Sequence, residues 1–286
     1  MAKPATTEIA GQPRLGPRPL PVHLAVAAMT WLGARNGWPS WNSSLPAWQP
    51  GLRATLAAIE AGLADADKAS LAAEVEREAR RRIERLQAGI AAYRRHPYRR
   101  ALADPPVLWR EGTTRLLDYR TGDSDPMAPA LLVVPSLINR AYILDLMPER
   151  SLMRDLAQRG LRPILVDWAA PGDIERRFGL EDYVAGRLDR ALDAVLERVG
   201  GPVVAVGYCM GGLLTLALAQ RRQADLAGLA CLATPWDFHA ERPAQARLVG
   251  QALAFLEPVL ETAGELPVDV IQTLFAALDP LQVVRK

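Results

Sequence analysis

Unbroken apolar runs and apolar stripes at helical spacing alternate along the middle of the chain. Ala130-Leu131-Leu132-Val133-Val134, Pro163-Ile164-Leu165-Val166-Asp167, Pro202-Val203-Val204-Ala205-Val206 and Gly228-Leu229-Ala230-Cys231-Leu232 are the runs. Such runs suit strands that are covered on both faces. Arg115 to Tyr119 adds a short strand, followed by a loop from Thr121 to Pro129. Helices are predicted between the runs. Ser151 to Arg159 has Ser151 as N-cap and Gly160 as its stop. Tyr183 to Val199 carries a stripe at Val184, Leu188, Ala191, Leu192, Val195, Leu196 and Val199, and Gly200-Gly201 ends it. Leu213 to Ala219 is a third apolar, helix-compatible stretch. Strand–helix alternation with short links predicts an α/β domain on a mostly parallel sheet.

The flanks read differently. Residues 1–19, rich in proline, glycine and threonine, are predicted to be a mobile tail. Residues 20–104 form a helical N-terminal region. Leu24 to Leu32 is a short helix within it. Leu52 to Tyr93 is helical with a break near Ala64 to Ser70, where Ser70 is the expected N-cap. Leu71, Val75, Ala79, Ile83, Leu86 and Ile90 keep one apolar stripe, and the Glu and Arg positions between them read as a solvated face. An anion contact is the sharper reading of the arginines up to Arg100. Asp104-Pro105-Pro106 marks the boundary to the core, residues 105–234. Residues 235–286 read as helices punctuated by prolines 258, 267 and 280.

Composition narrows the function classes. Half the 286 residues are hydrophobic, the net charge is only +2, and nothing global suggests nucleic acid. The two cysteines, Cys209 and Cys231, make neither a disulfide framework nor a zinc spacing, and they suit a reducing cytosol. No apolar run reaches the roughly 20 residues of a membrane span. Leu20 to Leu32 is a poor signal segment, being interrupted by Pro21 and His23. Four of the seven tryptophans (Trp31, Trp38, Trp41, Trp48) fall within residues 31–50. They read as packing on the main domain, or alternatively as a surface for a wet–dry boundary.

The chemistry gathers at Gly207-Tyr208-Cys209-Met210-Gly211-Gly212. Small residues two before and two after a central nucleophile, between a strand and a helix, form the nucleophile-elbow pattern. The sharp turn leaves no room for side chains at the flanking positions, hence the glycines. The thiol of Cys209 would stand at a strand end beside a helix N-terminus, where the dipole favours negative charge. A buried structural cysteine in a glycine-rich turn is the bland alternative. Two further segments follow strands to the same sheet end, Pro135 to Arg140 and Trp168 to Gly172.

Val134-Pro135-Ser136-Leu137-Ile138-Asn139-Arg140-Ala141-Tyr142-Ile143-Leu144-Asp145-Leu146 resembles the signature of the polyhydroxyalkanoate synthases. Pro148 to Leu152, Val166-Asp167-Trp168 and the elbow continue the likeness in order, over about residues 105–240. The resemblance implies an α/β-hydrolase fold, with residues 235–286 as part of a cap. It implies Cys209 as the nucleophile that carries the growing acyl chain. The backbone N–H groups of Met210 and Ile138 would then form the oxyanion hole. It implies 3-hydroxyacyl-coenzyme A as substrate, a polyester product, no metal and no resident cofactor. It also implies a cytoplasmic location at a polymer-granule surface, and a homodimer or a helical partner subunit.

One expectation departs from that family. Its aspartate and histidine follow the nucleophile on later strand ends. Beyond Cys231 this sequence offers one histidine, His239, in Trp236-Asp237-Phe238-His239. His239 does not sit at the family's triad position and reads as an ordinary polar residue, as does Asp167 at its strand end. The sheet is expected to stop after about the sixth core strand, and these 286 residues are expected to be inactive or nearly so. Two other readings stay open: a cysteine-dependent hydrolase (thioesterase or depolymerase), and a non-catalytic granule scaffold.

Overall fold

The computed structural model describes residues 14–37, 58–59, 61–63, 66–120, 125, 127–240 and 243–278. The expected tail up to residue 13, Trp38, Trp41 and Trp48, and most of the helix expected from Leu52 to Ala64 lie outside them. The chain divides into two compact units, Met1–Tyr98 with Leu253–Lys286, and Arg99–Ala252.

The second unit holds a six-stranded sheet in the order β1-β2-β6-β3-β7-β8. The strands are β1 (Val107–Glu111), β2 (Thr114–Asp118), β3 (Ala130–Val134), β6 (Arg162–Asp167), β7 (Val203–Tyr208) and β8 (Leu226–Leu232). β4 (Asp145–Met147) and β5 (Arg150–Ser151) pair as a small antiparallel ladder. β6, β3, β7 and β8 run parallel, as the apolar runs predict. β1 and β2 add an antiparallel edge. β1 is absent from the sequence reading, because Val-Leu-Trp-Arg-Glu is too short and mixed to declare itself beside Pro105-Pro106.

The register explains the apolar runs. Alternate β3 residues face opposite sides. Leu132 and Val134 join Ile164 and Val166 against Leu188, Leu192, Val195, Leu214 and Leu218 on one face. Leu131 and Val133 join Leu165 and Val206 against Leu144 and Met153 on the other. All five β3 residues are buried. At about 1.5–3 kcal/mol per buried aliphatic side chain, these two layers are the main favourable term. β8 alternates instead, leaving Ala227, Leu229 and Cys231 exposed on one face.

The helices of this unit are α3 (Leu152–Gln158), α4 (Asp189–Val199) and α5 (Met210–Arg221). Ser151 caps α3 as expected, its hydroxyl accepting from the Arg154 N–H at 3.0 Å. The expected helix from Tyr183 is not α-helical at its start. Asp182–Leu188 is π-helical and passes into α4. The wider turn rotates the following residues and buries Arg187 together with Val184 and Leu188.

In the first unit, α1 (Leu20–Gly37) is longer than the helix expected from Leu24 to Leu32, and α2 spans Lys68–Arg95. The N-cap of α2 is Asp67, not Ser70: the Asp67 carboxylate accepts from the Ser70 N–H at 2.8 Å. The helix therefore starts three residues early, and Ser70 is inside its first turn. Its Glu and Arg side chains pair with each other, Glu76 with Arg80 and Glu78 with both Arg81 and Arg82. Hydrogen bonds from those two arginines hold the Glu78 carboxyl down to about 2. That is the solvated face expected there. α6 (Pro243–Ala263), within which the division between the units falls, and α7 (Val268–Leu278) fill the expected helical stretch after the core. No helix among the described residues is long and apolar enough to cross a membrane.

Candidate functional site

The topology names the place. From β3 the chain proceeds to β6 on one side of it and then to β7 on the other. The loops leaving β3 and β7 therefore diverge at their carboxyl ends and open a crevice. Val134 lies opposite Gly207 in the ladder, so Ser136 and Cys209 each stand two residues beyond a paired position.

Cys209 is the turn between β7 and α5. Its backbone has φ 54° and ψ −128°, outside the regions an L-residue favours. Ala169 and Ala233 also have positive φ, and they follow β6 and β8. All three positive-φ non-glycine residues among those described thus follow parallel strands at one end of the sheet. Such clustering is a mark of functional ends. The turn is held by the Cys209 N–H donating to Leu232 O at 2.9 Å and by the Gly212 N–H donating to Cys209 O at 2.9 Å.

The glycines of the elbow are sterically required. A Cβ on Gly207 would strike Gly212 and the Thr215 hydroxyl. One on Gly211 would strike the carbonyls of Val134 and Pro135, and one on Gly212 would strike Thr234. The elbow is thus clamped between the ends of β3 and β8.

Met210 opens α5, so its N–H has no partner one turn back and is one of the free first-turn donors. Ile138 lies in the loop after β3, as expected. Its N–H is not free: it donates to Ser136 Oγ at 3.0 Å. Ser136 is 1% exposed, whereas Ile138 is 49% exposed. The sequence reading passed over Ser136, for which the only signal is a serine two residues before a loop amide.

Two polar clusters fix the surrounding loops. Asp145, fully buried, accepts from Arg100, Arg154, Ser151 and Tyr119 at 2.6–3.1 Å. Burial pushes its carboxyl up, but the bonds from Arg154, Ser151 and Tyr119 outweigh that and hold it below the usual range. The Tyr119 hydroxyl is pushed well up, by burial first and then by the Asp145 charge. This hub anchors the far end of the segment that begins at Pro135. The near end is held by Trp168 Nε1, which donates to Pro135 O at 3.1 Å.

The second cluster holds the loop after β6. Glu175 and Arg187 pair at 3.0 Å, both nearly inaccessible. Glu175 also accepts from the Thr113 and Gly172 N–H groups, and Arg187 donates to Glu111 O and Thr114 Oγ1. Burial raises the Glu175 carboxyl, but the Thr113 amide and Arg187 bring it below its ordinary value.

The other polar residues singled out in the sequence have partners other than Cys209. Asp167 pairs with Arg115 at 2.5 Å and accepts from the Ala169 N–H, a structural role. His239 is exposed, and its backbone N–H donates to Asp237. Among the described residues no side chain is hydrogen-bonded to the Cys209 thiol, and no group of three His, Cys, Asp or Glu could hold a metal ion. The site therefore offers a half-buried thiol at a strained turn, the first-turn N–H of Met210 and an Ile138 N–H engaged by Ser136.

Comparison with known proteins agrees with this geometry. Residues 129–264 match the alpha/beta hydrolase fold. Residues 99–156 match the N-terminus of poly-beta-hydroxybutyrate polymerase (PhaC). The poly(3-hydroxyalkanoate) polymerase subunit PhaC of Haloferax mediterranei is 30% identical over 177 residues, 62% of this chain and 36% of that protein. That of Synechocystis is 29% identical over 184 residues, 62% of this chain and 48% of that protein. The chain thus spans less than half the length of these relatives. The thioesterase domain from the curacin biosynthetic pathway is similar at 19% identity over 49% of this chain and 47% of that one, with a TM-score of 0.35, too slight a likeness to bear on function. With the matched segments running from Arg99 through the elbow, the family models and the relatives together support a member of the polyhydroxyalkanoate synthase family on an α/β-hydrolase fold.

Proposed function

We propose that the chain is a polyhydroxyalkanoate synthase-like acyltransferase whose nucleophile is Cys209. The observation that carries this is the elbow itself: a cysteine at φ 54° between β7 and α5, clamped by glycines at the β3–β7 crevice. Relatives named poly(3-hydroxyalkanoate) polymerase support the substrate class.

The Cys209 thiolate attacks the carbonyl carbon of a 3-hydroxyacyl-coenzyme A thioester. A carbon–sulfur bond forms to Cys209 and the one to coenzyme A breaks, and coenzyme A leaves as a thiolate that takes up a proton. Thioester is exchanged for thioester, so the step is nearly balanced and the acyl group stays activated. The hydroxyl of another acyl unit then attacks acyl-Cys209. A carbon–oxygen ester bond forms, the carbon–sulfur bond breaks, and the hydroxyl proton passes to the Cys209 sulfur. Negative charge on the carbonyl oxygen in both steps would be met by the Met210 and Ile138 N–H groups. No resident cofactor takes part.

Turnover by these residues alone is proposed to be slow. No described histidine is hydrogen-bonded to Cys209, and general-base help is worth about 10²–10⁴-fold. The polymer-granule surface and an association with a second copy or a partner subunit belong to the same proposal. The exposed rings of Trp236 and Phe238 offer apolar surface for either.

The test is a single exposure of the purified chain to 3-hydroxybutyryl-coenzyme A, read by intact mass and peptide mapping. An acyl adduct on Cys209, absent in Cys209→Ala, is the expected result. Free hydroxy acid with no polymer would instead favour a hydrolase. No adduct and no coenzyme A release would favour the scaffold reading.

A further inference from the structure

Ile138 has two claimants for one amide hydrogen. As an oxyanion donor it would point into the crevice at the reacting carbonyl oxygen. In the structure it points at Ser136 Oγ, 3.0 Å away. One N–H can serve one good acceptor at a time. The loop that carries both residues is pinned at each end, by Trp168 on Pro135 O and by the Asp145 hub. Its start also lies against Gly211 of the elbow, so the loop cannot drift from the nucleophile. Ser136 itself is buried to 1% exposure, which keeps its hydroxyl beside the amide rather than in solvent.

We infer that Ser136 is a positioning residue that sets the strength of the oxyanion hole, its hydroxyl competing with the substrate oxygen for the Ile138 N–H. In the observed arrangement the hole has one donor, Met210, and it gains the second only when the Ser136–Ile138 bond opens. This rests on the reading of Cys209 as an acyl-accepting nucleophile. A net hydrogen bond of about 0.5–1.5 kcal/mol must be broken for each acylation. Its removal should therefore quicken acylation about three- to tenfold.

Two reactions of Cys209 separate this role from a structural one. Acylation by 3-hydroxybutyryl-coenzyme A develops an oxyanion. Alkylation by iodoacetamide is a displacement at saturated carbon and develops none. Both rates are measured by intact mass on the full chain at pH 9, above the ~8.5 of a free thiol. Ser136→Ala should acylate about three- to tenfold faster than the native chain while alkylating at the same rate. Ser136→Thr, which keeps the hydroxyl, should acylate like the native chain, and circular dichroism checks that both variants are folded. Equal or slower acylation of Ser136→Ala at unchanged alkylation overturns the inference alone. A parallel change in both rates assigns Ser136 a merely structural part and also overturns it. No acyl adduct on Cys209 in any of the proteins overturns the nucleophile reading, and this inference with it.

Discussion

Gly211 rests directly on the carbonyl of Val134, the last residue of β3. This single contact joins the start of the elbow helix to the loop that carries Ser136 and Ile138. It makes the spacing between Cys209 and the loop after β3 a property of the backbone, not of side chains that could rotate away.

A side chain at that position has nowhere to go, because the atoms it would meet are backbone. Gly211→Ala should destabilise the chain by about 2–3 kcal/mol, seen as a lower urea midpoint at an unchanged m-value. Gly201→Ala is the matched control. Nothing lies within 4 Å of a Cβ there, so its midpoint should move by less than about 0.5 kcal/mol. Equal effects of the two would refute the close contact.

Asp145 gathers two guanidinium groups and two hydroxyls in a site without solvent. Asp145→Asn should cost about 3 kcal/mol, since it strands Arg100 and Arg154 without their counter-charge. The loss should depend on pH. The folded carboxyl lies below its unfolded value near 3.9, so its contribution is fully present above pH ~5 and declines as pH falls through the folded value. The gap in thermal midpoint between native chain and variant should be constant from pH 5 to 7 and shrink below pH ~4. A gap that grew on acidification would reverse the assignment.

Arg187 and Glu175 offer a coupled test. Arg187→Met leaves the buried Glu175 carboxylate without its cation and should cost about 3–5 kcal/mol. Adding Glu175→Gln removes the stranded charge. The double variant should be more stable than Arg187→Met by about 1 kcal/mol or more, a non-additivity that a denaturant cycle measures directly.

The parts of the fold visible in the sequence are those set by local pattern. β3, β6 and β7 announce themselves because both their faces are covered, and Cys209 because only glycine fits two residues to each side of it. What escaped the sequence depends on partners far along the chain. β1 needs β2 to be a strand at all. Arg187 reads as one more polar residue on a helix until the π-helical turn rotates it against Glu175 and Glu111. Asp145 reads as part of a family signature, not as a charge hub, because Arg100 and Arg154 reach it from 45 and 9 residues away. Ile138 lies in the loop after β3 where the sequence puts it, but the engagement of its N–H by Ser136 is a rotamer-level fact that residue spacing cannot express.

Cys209 itself should trade stability for its position. At φ 54° and ψ −128° an L-residue carries strain of about 1–3 kcal/mol, which glycine would not. Glycine also loosens the unfolded chain, at a cost of about 0.5–1 kcal/mol. Cys209→Gly should therefore come out more stable than the native chain by about 1 kcal/mol. Cys209→Ala keeps the Cβ and hence the strain, so it should lie below Cys209→Gly and close to the native value. Both variants lose acylation equally. Chemical denaturation of the three proteins ranks them, and a glycine variant no more stable than the alanine one would mean that the elbow stores no backbone strain.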